Sequence, residues 1–265
     1  MNKTELLTRL ASDGEERTLL ARAMDQVAMA ETRGAPAHTG FLSPREQEAV
    51  SRLIAACGRP RHLFYGGWEE AERRVCLFLP DWMEDGMDFF REDGPLVALR
   101  AVWRSGESLT HRDFLGALMG MGVAREKVGD LLVKEGCCDI LLLREVAPFL
   151  LQSMEGAGRA RLRLEALPLE EVSPPEVQVK VVRDTVAALR LDAVMAAGFS
   201  LSRGRAAEHI SAGRVNLNWQ ECRKGDRTVA QGDVISCRGL GKCRITEVGG
   251  LSRKGRVTVT LERYI

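Results

Sequence analysis

Apolar positions recur at helical spacing near the start of the chain. Leu6, Leu7 and Leu10 make one stripe, and Leu19, Leu20, Ala23, Met24 and Val27 make a second, predicting one or two polar helices up to about residue 34. GAPAHTG (34–40) reads as a loop. Ser43-Pro44-Arg45-Glu46 then has the form of a capping box with proline at the first helical position, so a helix is predicted from there to Gly58. His62 to Tyr65 is strand-like, Gly66-Gly67 breaks it, and Val75 to Leu79 is a wholly apolar strand ending at Pro80. The double glycine reads more simply as a turn between packed elements than as a phosphate cradle.

From Pro95 the pattern alternates between periods of about 2 and 3.6. It predicts a strand to Arg104, a helix from Thr110 to Met121, strands at 130–133 and 139–143, a helix from Glu145 to Met154 and a strand from Ala160 to Leu167. Short strands interrupted by two helices imply an α+β sandwich with helices on one face, and the strand at Val75 is a candidate member of the same RRM-like layer. No aromatic pattern of a base-stacking RRM sheet is present. PLEEVSPP (168–175) reads as an extended spacer.

The stretch from Arg190 to Arg214, RLDAVMAAGFSLSRGRAAEHISAGR, reads as two short helices joined by a basic elbow. Leu191, Val194 and Met195 form the first buried stripe, with Gly198 as its expected left-handed stop. Ser202 is the expected cap of the second helix, whose stripe is Ala206, Ala207 and Ile210 and whose end is Gly213. Arg203, Arg205 and Arg214 have no place in either stripe and are left for phosphate. Val215–Leu217, Asp233–Arg238 and two further alternating runs predict a β-rich tail.

At 265 residues the chain is long enough for two or three domains, and 45% apolar with 28% charged residues is the balance of a globular protein. No apolar run approaches a membrane span, and MNKTELLTRLASDGEER lacks a secretion core, so a cytoplasmic location is expected. The seven cysteines are odd in number and contain no CxxC pair, so packed reduced thiols are expected rather than disulfides or zinc. His38, His62, His111 and His209 make no metal-ligand spacing with Cys, Asp or Glu, and no GxGxxG opens a helix after a strand; neither metal nor cofactor is expected. His111-Arg-Asp113 lacks the asparagine and DFG of a kinase and reads as a helix start. Arg190-Leu-Asp192 likewise lacks the Thr-Ser-Gly continuation of a pseudouridine synthase.

Charge divides the chain. Residues 190–265 hold 14 Lys and Arg against 7 Asp and Glu, leaving 24 against 30 of the totals of 38 and 37 for the rest. A basic module on an acidic body is the footprint of a nucleic-acid binder.

Arg190 and Asp192, Ser202-Arg203, Gly213 and Val215 to Asn218, then Gly232-Asp233, make a run of fixed elements that resembles the S4 RNA-binding domain. Members usually have Asn-Gly after the first strand where this chain has Asn218-Trp219. Over almost the full length, FLSPREQEA, YGGWEEAERR, HRDFLGALMGMGVAREKVGDLLV and VRDTVAALRLDAVMAAGFSLSR are similar to the YlmH family of bacterial S4-domain proteins. Plastid and cyanobacterial photosystem-biogenesis S4 proteins share the layout. The resemblance implies an α+β fold: an N-terminal helical region (1–70), an RRM-like α/β domain (71–167), a linker (168–177) and a small S4 domain (178–265) of two helices and a short sheet. It also implies RNA as partner, in large-subunit rRNA, tRNA or peptidyl-tRNA at the ribosome during rescue of stalled chains, and a link to cell division.

The candidate RNA-binding residues are Arg190, Ser202, Arg203, Arg205, Arg214, Asn218, Lys242, Arg244, Arg253, Lys254 and Arg256, with Arg203 foremost. Asp192 is expected to be structural, pairing an arginine across the elbow. A non-catalytic RNA-binding factor is the leading expectation. An RNA-modifying enzyme using the tail for delivery, or a cell-division or assembly factor, are the alternatives.

Overall fold

The computed structural model describes residues 2–264 except Glu84, Ser105 and 176–178, and the chain divides into two units, Met1–Pro175 and Glu176–Ile265. The first unit opens with α1 (Lys3–Leu10) and α2 (Gly14–Arg33), the helices that the leucine stripes predict, with Leu6, Leu7, Leu20, Ala23 and Val27 buried. Next come β1 (Ala37–Leu42), α3 (Pro44–Ala56), β2 (His62–Tyr65) and β3 (Arg74–Phe78). The Ser43 capping box is present, with both the amide and the hydroxyl of Ser43 donating to Glu46 Oε2 at 2.6 Å.

The three strands form an antiparallel sheet in the order β1-β3-β2. Residues 37–40, expected in a loop, are therefore strand: Ala37 pairs with Phe78 and Phe41 with Val75. Thr39 and Gly40 hide the alternation, and only the partner strand reveals it. The same pairing corrects two further expectations. The strand at Val75 belongs to this sheet, not to the RRM-like layer, and the expected boundary at 70/71 falls between two paired strands.

The double glycine serves packing. A Cβ on Gly66 would lie 2.3 Å from Arg73 O, and Gly67, at φ +97°, sits against Leu141. Asp130 holds this loop down, accepting from Trp68 Nε1 and from the amides of Glu72 and Arg73 at 2.8–3.1 Å.

After α4 (Gly86–Glu92), which the sequence pattern did not predict, come β4 (Leu96–Val102), α5 (His111–Gly120), β5 (Val128–Val133), β6 (Cys137–Leu143), α6 (Ala147–Ser153), a small β7–β8 hairpin (Gly156–Ala157, Ala160–Arg161) and β9 (Arg163–Leu167). The expected helix at 145–154 begins as a 3-10 turn (Arg144–Val146), and the expected strand at 160–167 is broken at Leu162. The sheet order β5-β6-β4-β9 with βαββαβ connectivity is the ferredoxin-like arrangement that an RRM uses. His111-Arg-Asp113 is indeed a helix start: Asp113 Oδ2 accepts from the Thr110 amide and hydroxyl at 2.8 and 2.7 Å. Leu169 and Val172 of the expected linker pack back onto this unit, while 176–178 lie outside the described residues.

Both faces of this four-stranded sheet are covered. Leu99, Ala101, Cys138, Ile140 and Leu142 meet Phe114, Leu118, Val146 and Leu150 of the helical layer. Leu96, Ala98, Leu132, Leu141 and Leu143 on the other face meet Phe41, Val75 and Leu77 of the three-stranded sheet. The Phe41 ring rests on Gly129, where a Cβ would lie 2.6 Å from Cε1. At the end of this interface Asp139, fully buried, accepts from Arg100 at 2.7 and 2.9 Å and from Lys134 at 2.6 Å.

The second unit comprises β10 (Val179–Val186), α7 (Leu191–Phe199), α8 (Arg203–Ser211), β11 (Val215–Leu217), β12 (Gln220–Glu221), β13 (Val234–Cys237), β14 (Gly241–Leu251) and β15 (Val257–Tyr264). Its sheet runs β10-β15-β14-β13-β11-β12. Val194, Met195, Ala206 and Ile210 of the helices meet Ile235, Cys243, Ile245 and Leu261 of the sheet in one core. Ala207, expected in the stripe, is exposed. Gly198 does not stop α7: Ser200, at φ +56°, takes the left-handed position. Gly198 instead lets the helix approach the sheet, since a Cβ there would lie 3.0 Å from Cys243 Sγ. All seven cysteines are free, with Cys76, Cys138, Cys237 and Cys243 buried.

Candidate nucleic-acid interface

The first turn of an α-helix leaves amides without intrahelical partners. In α7 the chain itself supplies them: Leu191 N donates to Arg227 O at 2.8 Å and Asp192 N to Gly225 O at 2.9 Å. The loop between β12 and β13 is thereby fixed against the start of α7, and Arg190 forms a bridge with Thr228. This brings the loop that carries exposed Lys224, Asp226 and Arg227 against the start of α7, with the Asp226 charge acting on Arg190. Neither Lys224 nor Arg227 was among the candidates from the sequence. The signal available was the basic run Arg223-Lys-Gly-Asp-Arg227, but nothing in the sequence says that its carbonyls accept from the first amides of a helix far earlier in the chain.

Asp192 is the hub of the elbow. Its carboxylate accepts Arg190 Nε and Nη2 at 3.2 and 3.0 Å, and Arg203 Nη2 at 2.9 Å. Its side chain is 11% exposed against 44% for Arg190 and 59% for Arg203. Burial alone would push this carboxyl up; the hydrogen bonds and charges of the two arginines outweigh it and hold it below the ordinary value of 3.8. One carboxylate thus orients two guanidinium groups, each still largely in solvent and each with N–H groups left for an outside acceptor. The expected structural role of Asp192 is what the geometry shows, with Arg190 and Arg203 as its partners.

The start of α8 adds to this charge. The Ser202 hydroxyl accepts from Arg205 N at 3.3 Å, so its oxygen serves as a helix cap. The first turn carries no acidic residue. A Cβ placed on Gly204 would meet nothing within 4 Å, so the backbone there is open to approach. Exposed Arg205 stands on this turn with no ion pair among the described residues. Open amides, a helix dipole and guanidinium groups at one place suit a phosphate.

The remaining candidates are distributed differently. Arg214 is exposed where α8 passes into β11. Asn218 works inside the protein: its side chain donates to Asp233 Oδ1 at 2.8 Å and accepts from Val234 N at 2.9 Å. Cys243 and Ile245 face the helices, so by strand alternation Lys242 and Arg244 point to the opposite face of the sheet, where Lys242 lies over the Tyr264 ring at 4.6 Å. They do not continue the helix-pair patch. Arg253 and Lys254 are exposed in the β14–β15 turn, whereas Arg256 donates to Thr185 Oγ1 and O and ties that turn to β10. The structure therefore gathers Arg190, Arg203 and Arg205 with Lys224 and Arg227 at the helix elbow.

In the first unit, the sheet face that an RRM offers to bases is the one filled by Phe41, Val75 and Leu77. Base stacking on that face is closed off by the protein's own core. Among the described residues no helix is long and apolar enough to cross a membrane.

Comparison with known proteins agrees with this layout. Residues 189–235 match the family model of the S4 domain, and residues 105–171 match the model described as "Putative RNA-binding domain in YlmH". The chain is 32% identical over 250 residues to the ribosome-associated protein quality control protein P2 of Bacillus subtilis, covering 94% of this chain and 95% of that protein. Among solved structures it is similar in fold to the cell division protein YlmH of Streptococcus pneumoniae. That match has a TM-score of 0.52 and 20% identity, over 62% of this chain and 98% of that one.

Proposed function

Because the chain belongs to the YlmH family of S4-domain proteins, we propose that it is a ribosome-associated RNA-binding factor that grips RNA phosphates at the α7–α8 elbow. The observation that carries this reading is the Asp192 hub, which presents Arg190 and Arg203 beside the open first turn of α8. A carboxylate that fixes the direction of two arginines without burying them lowers the conformational cost of the phosphate contacts they make. Structured RNA is the class of target that suits the site, because a guanidinium cluster follows backbone shape and leaves sequence unread.

The resemblance of the whole chain to a ribosome-associated quality control protein supports the ribosome as the place of action; within this proposal the particular RNAs are large-subunit rRNA and tRNA, in handling stalled nascent chains. In this reading the protein positions RNA and does no chemistry on it, and its work is cytoplasmic. The test is a titration of the full chain with large ribosomal subunits and with tRNA over a range of salt, beside Arg205→Glu. Each phosphate neutralised contributes roughly −0.7 to −0.9 to the log–log salt slope. The natural chain is expected to show a steep slope and Arg205→Glu a shallower one with weaker binding. Absence of binding to both targets at low salt would overturn the proposal.

A further inference from the structure

We infer that Trp219 is a stacking platform for an unpaired RNA base, a contact separate from the phosphate grip at the elbow and resting on the RNA-binding reading above. β11 and β12 are joined by a two-residue turn, Asn218-Trp219, with Leu217 paired to Gln220. Both turn residues lie in the left-handed region, Asn218 at φ +49° and Trp219 at φ +63°. This turn requires positive φ at both positions, which is why Asn-Gly is the favoured pair. Asparagine enters that region readily, but a bulky aromatic there is strained.

No specific contact of the indole offsets this strain. Trp219 remains 39% exposed, and among the described residues its indole makes no ring contact and no hydrogen bond. Glycine would satisfy the backbone without strain, so the turn itself does not call for an indole. The turn beneath it is, however, held with care. Asn218 N donates to Val234 O at 2.8 Å, the Asn218 side chain bonds both Val234 N and Asp233, and Asp233 Oδ2 accepts from Ala230 N at 2.8 Å. Strained residues persist where surrounding structure over-determines them, and such places cluster at ligand contacts.

An exposed aromatic on a rigid turn loses little entropy on binding and offers a π-face to any base. Its surroundings suit nucleic acid better than an apolar protein surface, since exposed Arg214 stands at the base of the same hairpin and Arg223 beside it is held by Glu221 at 2.6 Å. A paired duplex has no base free to stack on it. Loops, bulges and ends do.

The experiment uses the full chain and two RNA probes with the same stem, a hairpin with an unpaired adenine loop and a blunt duplex. Affinities are measured for the natural chain, Trp219→Phe and Trp219→Gly. Trp219→Gly is expected to weaken the looped RNA by roughly tenfold, a much larger loss than for the duplex, while Trp219→Phe recovers most of it. Its melting temperature is expected to equal or exceed that of the natural chain, which excludes unfolding as the cause. Equal affinities of Trp219→Gly and the natural chain for looped RNA would overturn the inference alone, with Arg205→Glu still weakening both probes. Failure of the natural chain to bind either RNA would overturn both readings.

Discussion

Asp192 Oδ2 lies 2.9 Å from Arg203 Nη2 across the elbow between α7 and α8. The pair joins the stability of the S4 unit to the direction of an arginine offered to RNA. Asp192→Asn is expected to cost about 1–2 kcal/mol, the scale of hydrogen bonds to charged groups at a partly exposed site, and to weaken RNA binding by freeing both guanidinium groups. Urea unfolding measures the first effect and the salt titration the second.

The same carboxyl sets a pH dependence. Its folded pKa is depressed below 3.8, so its contribution is fully present above the unfolded value and is lost as pH falls through the folded value. The difference in urea midpoint between the natural chain and Asp192→Asn is therefore expected to be constant from pH 7 to about 5 and to shrink below 3.8.

In the first unit, Phe41 carries the three-stranded sheet onto the ferredoxin-like sheet. Phe41→Ala removes a ring that is 1% exposed and is expected to cost about 3–5 kcal/mol. A loss below about 1 kcal/mol in denaturant unfolding would mean that the two sheets do not share a core.

Gly198 and Ser200 exchange the roles that sequence alone suggests. Gly198→Val is expected to destabilise by about 1–3 kcal/mol through the clash with Cys243, whereas Ser200→Gly is expected to stabilise by up to about 1 kcal/mol by relieving its positive φ. Thermal melts of the two variants should move in opposite directions.

Much of this protein is local and could be read without coordinates. Periodicity and capping residues defined α1, α2, α3 and α5, because a helix is made of contacts within a few residues. The elbow arginines stood out because no apolar stripe could hold them, and the sign of the charge split pointed to a nucleic acid. The motifs from Arg190 to Asp233 carried the S4 domain, blocks spread over almost the whole chain carried the family, and the expected role of Asp192 followed from a carboxylate among arginines at a helix start.

Tertiary structure decided whatever depends on partners far along the chain. β1 is a strand only because β3 lies beside it. The ferredoxin-like sheet is closed to bases only because Phe41, Val75 and Leu77 fill its face. Lys224 and Arg227 join the elbow only because their loop caps α7, and Lys242 and Arg244 leave it because strand pleating turns them to the other face. Composition and spacing fix which groups are available; long-range pairing and burial fix which of them meet.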